Sequence, residues 1–275
     1  MTRDVPGGPL ILGATGRIGR AFRTLWLAGQ WPGPARPVWH GRQSGDLVWD
    51  MDSPPPRNIP PARGVIMLAG LTRGDPGALD INRRLALAAV ALGRQADLGP
   101  VLLCSTSSVY GRDPGPHAED DPAHPINPYG AAKLAMEAAV AGAPGVTCLR
   151  IANVPGADDL LLTAAQRRVP LDRFPDGTAP RRHYIGPLTL ARTMLALLDA
   201  GPLPPILNVA HPGMIAMDAL LSAAGCPWDW QPAPDTALPS LALDTTRLQA
   251  LVPLPPADPG ALVAEARAAG WRPAP

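Results

Sequence analysis

Pro9-Leu10-Ile11-Leu12-Gly13-Ala14-Thr15-Gly16-Arg17-Ile18-Gly19 decides how the rest of this chain is read. A short apolar run stops at glycine, as a buried strand does. From Gly16 to Gly29 the apolar residues fall at Ile18, Phe22, Leu25 and Trp26, the stripe of a helix packed on one face. Between strand and helix, glycines at 13, 16 and 19 permit a tight turn and a close backbone approach. The N-terminus of the helix favours an anion there. The stretch reads as a strand–loop–helix cradle for the pyrophosphate of a dinucleotide, built from Gly13, Thr15, Gly16, Arg17, Ile18 and Gly19.

Working outward, strands and helices alternate. Arg36–His40, Gly64–Ala69, Val101–Ser105 and Val146–Ile151 read as strands, and 79–96 and 128–140 as helices. This alternation predicts an α/β fold, a doubly wound parallel sheet of Rossmann type covered by helices on both faces. After about residue 155 the pattern loosens. Helices are expected at 160–168, 188–198, 218–224 and 261–269, with a short strand at 206–209 and Pro-rich joints between them. We expect a dinucleotide-binding domain over 1–155 and a smaller C-terminal substrate lobe over 156–275, interleaved with the first.

Composition narrows the classes. The 275 residues are 46% hydrophobic and 17% charged with a net charge of +1, so neither a disordered chain nor a field that steers it to nucleic acid or an anionic membrane is expected. Glycine and proline make up 65 residues, without a collagen-like period. No apolar run approaches the roughly 18 residues of a membrane span, and the first residues carry no secretory signal, so a cytoplasmic protein is expected. Cys104, Cys148 and Cys226 form no paired framework, and the five histidines show no ligand spacing, so no metal is expected.

The type of dinucleotide is read at the end of the second strand. An acid there accepts the adenine ribose 2′-hydroxyl. Here the residues are Val38-Trp39-His40-Gly41-Arg42, with no carboxylate until Asp46. Arg42 could pair with a 2′-phosphate, with Arg17 beside it. NADP is favoured, with NAD as the alternative and a merely solvated Arg42 as the bland reading. Asp50, in Leu47-Val48-Trp49-Asp50, is placed to reach the adenine amino group or to stay a loop carboxylate.

Of 24 basic residues only Lys133 is a lysine. It follows Tyr129 by four in Asn127-Pro128-Tyr129-Gly130-Ala131-Ala132-Lys133, so the two share a helix face. An ammonium and an oxidised nicotinamide would both favour phenolate and pull the Tyr129 pKa down from about 10. Tyrosine then becomes a usable acid/base. Ser105-Thr106-Ser107-Ser108 ends the 101–105 strand, where open parallel sheets place ligands, and a hydroxyl there could hold the reacting oxygen.

Together these motifs resemble the extended short-chain dehydrogenase/reductases, in their NAD-dependent epimerase/dehydratase branch. Gly13–Gly19 is similar to the family's GxxGxxG, Leu68-Ala69-Gly70 to its fourth-strand motif, Asn82 to its helix asparagine, and Tyr129/Lys133 to its YxxxK. Aligned on Val109-Tyr110-Gly111, the catalytic hydroxyl falls on Thr106. The resemblance implies substrate contacts from Ser107, from Asn153 of Leu149-Arg150-Ile151-Ala152-Asn153, and from Arg182 of Arg182-His183-Tyr184-Ile185. Leu68, Ala69, Gly70, Tyr129 and Lys133 would also meet the cofactor. The chain departs at His183, where the family carries Asp, and at Leu188-Thr189, where it carries an acidic pair. Ser107 and Ser108 stand where dehydratases carry acids, which disfavours dehydration.

The resemblance implies an NAD(P)-dependent epimerase or reductase, transferring hydride to or from a sugar that is free or nucleotide-linked. The alternatives are a reductase of a non-sugar carbonyl compound and a non-catalytic NADP-sensing protein. The expected partner is a small-molecule substrate, and the family suggests a homodimer through two sheet-flanking helices.

Overall fold

The computed structural model describes residues 7–274; residues 1–6, read above as free of a targeting signal, lie outside them. The order is β1 (Leu10–Leu12), α1 (Arg17–Leu27), β2 (Val38–Gly41), β3 (Leu47–Val48), β4 (Val65–Met67), α2 (Pro76–Leu79), α3 (Ile81–Gln95), β5 (Val101–Thr106), α4 (Pro128–Ala139) and β6 (Val146–Ile151). There follow α5 (Asp159–Ala164), β7 (Val169–Arg173), β8 (Arg181–Arg182), α6 (Pro187–Asp199), β9 (Ile206–Val209), β10 (Ile215–Ala216), α7 (Met217–Ala224), β11 (Trp228–Pro232), β12 (Ser240–Leu241), α8 (Thr246–Leu251) and α9 (Pro259–Ala268).

Seven strands form one parallel sheet in the order β3-β2-β1-β4-β5-β6-β9. The order reverses between β1 and β4, so the ligand crevice of such a sheet opens beyond their carboxyl ends. Strand periodicity sorts the apolar residues onto two faces. Ile11, Ile66, Leu102, Leu149 and Leu207 join Phe22 and Leu25 of α1 and Met194 of α6 in one core. Leu10, Leu12, Val65, Met67 and Leu103 join Ala86 and Ala89 of α3 and Met136 of α4 in the other. Both faces of the sheet are buried, which explains strands that read as unbroken apolar runs.

The helix expected over 79–96 is α3, with the one-turn α2 set before it. Asp75 caps α2 by accepting the Ala78 N–H (2.8 Å), and α3 starts afresh after Asp80. The strand β3 escaped the sequence reading because it is only two residues long. Beyond residue 155, α6 and β9 return to the main sheet. Leu248 of α8 also joins the main-sheet core, while α5, β7, α7 and α9 pack around a core of their own that includes Leu161, Leu171, Tyr184, Leu220, Leu262 and Trp271. The parallel pair β7–β11, with Pro170 and Pro232 in the strands, was not foreseen. Proline lowers the strand signal, and the ribbon buries only Val169 and Leu171 of β7 while most of β11 is exposed. The helix expected over 160–168 ends at Ala164 because β7 begins at Val169.

The acids missing at Leu188-Thr189 are replaced from elsewhere in the chain. Glu265 of α9 accepts the Thr189 N–H (2.8 Å) and the Thr189 hydroxyl (2.6 Å), putting a carboxylate at the N-terminus of α6. There it satisfies an orphan donor and opposes the positive end of the helix dipole.

Candidate active site

At the carboxyl ends of β4, β5 and β6 the chain leaves a cleft of about 710 Å³. That is the size of small-molecule sites in general. Gly16, Arg17, Ile18, Leu68, Gly70, Thr106, Tyr129, Lys133, Asn153 and Arg182 all line it. The phosphate loop, the tyrosine–lysine pair, the hydroxyl strand end and two expected substrate residues thus converge on one space.

The loop fits a closely held dinucleotide. Gly13 has φ +88°, and a Cβ there would lie 2.5 Å from the Ala69 nitrogen, so no side chain fits between loop and β4. Gly16 opens α1 with its own N–H turned back to Gly13 O (3.0 Å). Gly13, Thr15, Gly19 and Ala69 shape this turn without being part of the cleft wall. Gly70, at φ +157°, lets Asn82 come close; a Cβ would stand 2.3 Å from Asn82 Oδ1. The Asn82 amide spans the bend by accepting the Leu71 N–H (3.1 Å) and donating to Leu71 O (3.0 Å) and Leu79 O (3.0 Å).

At the end of β2 the structure explains the missing acid. His40 is buried; its Nδ1 accepts the Gly13 N–H (3.3 Å) while its Nε2–H donates to Trp49 O (2.8 Å). Burial lowers its pKa below the ordinary value, consistent with this neutral, one-donor tautomer. Asp46 accepts from Trp39 N–H (2.9 Å) and Arg36 (2.8 Å). Arg42 and Asp50 are exposed and lie outside the cleft wall. Asp50 accepts the Asp52 N–H (3.2 Å).

Tyr129 and Lys133 stand one turn apart on α4. The helix is started by Asn127, which accepts the Gly130 N–H (2.8 Å), with Pro128 in its first turn. Lys133 is buried and donates to Cys104 O of β5 (2.7 Å). Burial lowers its pKa, while the nearby Glu137 carboxylate acts the other way. The pull expected from the ammonium is corrected: in the free protein burial pushes the Tyr129 pKa up to about 12. A polar contact from Thr106 and the charge of Arg17 pull in the opposite sense without winning. The ammonium expected to favour phenolate is turned onto the Cys104 carbonyl instead. Thr106 accepts the Ser108 N–H (3.2 Å), which leaves its hydroxyl proton free to donate. Ser107 lies in the short 3-10 turn after β5, and Ser108 takes the place on the cleft wall.

On the side expected to meet substrate, Asn153 bridges the backbone to Tyr184: its N–H donates to His183 O (3.2 Å) and its carbonyl accepts the Ile185 N–H (2.9 Å). Arg182 donates to Leu238 O (2.8 Å). The other arginines of that region do not join it: Arg168 pairs with Asp229 (2.8 Å) and Arg173 lies over the Trp230 ring.

Beneath α4 is a group the sequence reading passed over. Glu137, one turn beyond Lys133, accepts the Ser105 hydroxyl and pairs with Arg150 of β6 (2.8 Å), both charges being out of water. Arg150 also donates to Glu119 O (3.2 Å) and lies over the Tyr110 ring at 4.8 Å. The visible signal was a tyrosine, lysine and glutamate at steps of four on one helix.

A family model described as the NAD dependent epimerase/dehydratase family matches residues 66–210. The chain belongs to that family. A comparison with curated proteins found no match. Among solved structures, a UDP-glucose 4-epimerase from Stenotrophomonas maltophila, holding NAD and formylated UDP-arabinopyranose, is similar at TM-score 0.76 and 19% identity, over 95% of this chain and 96% of that one. An NAD-dependent NDP-hexosamine 5,6-dehydratase of tunicamycin biosynthesis aligns at TM-score 0.75 and 19% identity, over 96% and 97%. A UDP-N-acetylglucosamine 4-epimerase from Bacillus cereus aligns at 0.72 and 15%, over 96% and 99%. These likenesses establish the fold of this family member as an extended Rossmann fold.

Proposed function

We propose that the protein is an NAD(P)-dependent epimerase or reductase that moves hydride to or from a sugar hydroxyl or carbonyl, the sugar being free or nucleotide-linked. The carrying observation is that Thr106, Tyr129 and Lys133 line the same cleft as Gly16 and Arg17 of the phosphate loop. When bound, the nicotinamide supplies the hydride chemistry. The chain's own groups position the reactants and move the proton. Thr106 holds the reacting oxygen. Tyr129 donates its proton to a carbonyl oxygen as that oxygen gains charge, and in the opposite direction takes the proton of the hydroxyl as hydride leaves the carbon. Lys133 anchors α4 to β5, and its remaining N–H donors would hold the cofactor ribose. Asn153 and Arg182 face the substrate.

NADP is the favoured form. His40 fills the end of β2 and Asp46 is held by Arg36 and Trp39, so neither offers a free carboxylate to a ribose 2′-hydroxyl, and Arg42 stands exposed beside them. The similar epimerase from Stenotrophomonas maltophila carries NAD, which keeps NAD as the alternative. A net sugar reductase must exchange its cofactor each turnover, whereas an epimerase keeps it.

Thermal shifts with NAD, NADP and UDP-sugars, followed by turnover assays, test this reading. We expect a larger shift with NADP than with NAD. We also expect Tyr129→Phe to lower kcat about 10²- to 10⁴-fold with cofactor binding retained. Full turnover in Tyr129→Phe, or no shift with either dinucleotide, would discard it.

A further inference from the structure

Three side chains from distant parts of the chain meet at the mouth of the cleft. Arg17 is the first residue of α1, Arg73 lies on the loop between β4 and α2, and Asp159 opens α5. Arg17 Nη1 is 3.0 Å from Asp159 Oδ1 and 3.3 Å from Ala157 O. Arg73 Nη2 is 3.0 Å from Asp159 Oδ2. Each oxygen of one carboxylate therefore holds a different guanidinium, and all three residues line the cleft. The strand–loop–helix cradle does not require this arrangement, and no motif in the sequence marks Arg73 or Asp159.

Two guanidiniums against one carboxylate leave a net positive charge beside the loop that receives a pyrophosphate. A guanidinium has five donors, so each arginine can keep Asp159 and still meet a phosphate oxygen. We propose that Arg73 and Asp159, with Arg17, form a clasp over the pyrophosphate of the bound dinucleotide, and that the clasp must open before the dinucleotide leaves. This rests on reading the cleft as a nicotinamide-dinucleotide site. Exposed ion pairs of this kind contribute little to folding, so the clasp can open without cost to the fold. Burial pushes the Asp159 carboxyl up, but Arg73 and Arg17 outweigh it and hold the pKa below the ordinary carboxylate value. The clasp is accordingly charged at neutral pH.

The experiment is stopped-flow release of NADPH and NADH, followed by nicotinamide fluorescence, from the wild type, Asp159→Asn, Arg73→Ala and the double variant. Unchanged melting temperatures would show that the variants fold. Each single variant is expected to release the dinucleotide about tenfold faster, the change for one lost charge-assisted contact. The double variant should be little faster than either, because both break one clasp. Raising salt from about 0.05 to about 0.5 M should hasten release from the wild type more than from the variants. Variants that release at the wild-type rate overturn the clasp while leaving the dinucleotide site standing. A wild type that binds neither dinucleotide overturns the site itself, and the clasp with it.

Discussion

Glu137 and Asp158 are carboxyl groups withdrawn from water within one molecule, and they are treated in opposite ways. Glu137 takes hydrogen bonds from the Ser105 hydroxyl and from two nitrogens of Arg150. Asp158 caps α5 through Oδ1, which accepts the Leu161 N–H (3.1 Å), while its Oδ2 meets no partner among the described residues. The phenol of Tyr184, whose own pKa is raised by burial and by Asp158, is likewise without a partner there. The region under α4 is therefore a saturated polar layer that fixes Tyr129 and Lys133 against the sheet. The start of α5 is under-satisfied and joins the cleft wall through weak, exposed pairs. A difference of this kind separates a platform from a part that adjusts.

The largest effect that could break this contrast is at Glu137. Removing one partner of a buried ion pair leaves the other charge stranded, so Glu137→Ala should cost about 3–5 kcal/mol in urea unfolding. Replacing Glu137 and Arg150 together by leucine and methionine should recover much of that loss. A Glu137→Ala protein as stable as the wild type would show that α4 is held by its apolar face alone.

The next effect is at Asp158, and it carries a pH signature. Burial raises its pKa to about 7 from an ordinary value near 4, with neighbouring Asp159 adding to the rise. Between those values the folded state holds the proton more tightly than the unfolded chain does. Its contribution is thus favourable below about pH 4, is lost as pH rises, and is gone above about pH 7. Asp158→Asn keeps the cap without the charge. It should be more stable than the wild type at pH 8, on the order of 1–3 kcal/mol, and should lose that advantage toward pH 4. Parallel stability curves for the two proteins would show that Asp158 is not set apart from Glu137.

The smallest expected effect is at the start of α6. Glu265→Ala strips the acceptor from the Thr189 N–H and hydroxyl and should cost about 0.5–2 kcal/mol, the usual value of a helix cap, in the same unfolding assay. A loss as large as that at Glu137 would place this contact with the rigid layer.

Legibility in the sequence followed the same contrast. Apart from the two-residue β3, the elements of the parallel sheet could be read because each buried strand writes an apolar run and each helix a stripe. Gly13–Gly19 and the Tyr129–Lys133 step could be read because their spacing along the chain is their geometry. Glu137–Arg150, Glu265–Thr189 and Arg17–Asp159–Arg73 could not be read, because each joins residues that only folding brings together. The Tyr129 pKa went the wrong way for a related reason. Spacing placed Lys133 on the right face of the helix, but not its ammonium, which the Cys104 carbonyl captures. The ribbon β7–β11 was missed because each strand carries a proline and β11 is mostly exposed, so that only Val169 and Leu171 alternate inward.

The return of α6 and β9 to the main sheet bears on any attempt to exchange one substrate preference for another. A chimera joined once near residue 155 would strip β6 of its outer neighbour β9 and bare the face of the sheet and α1 that α6 covers, leaving a sticky flank open to self-association. Grafting a foreign lobe onto this scaffold takes several splices, with β9 and its preceding helix left in place.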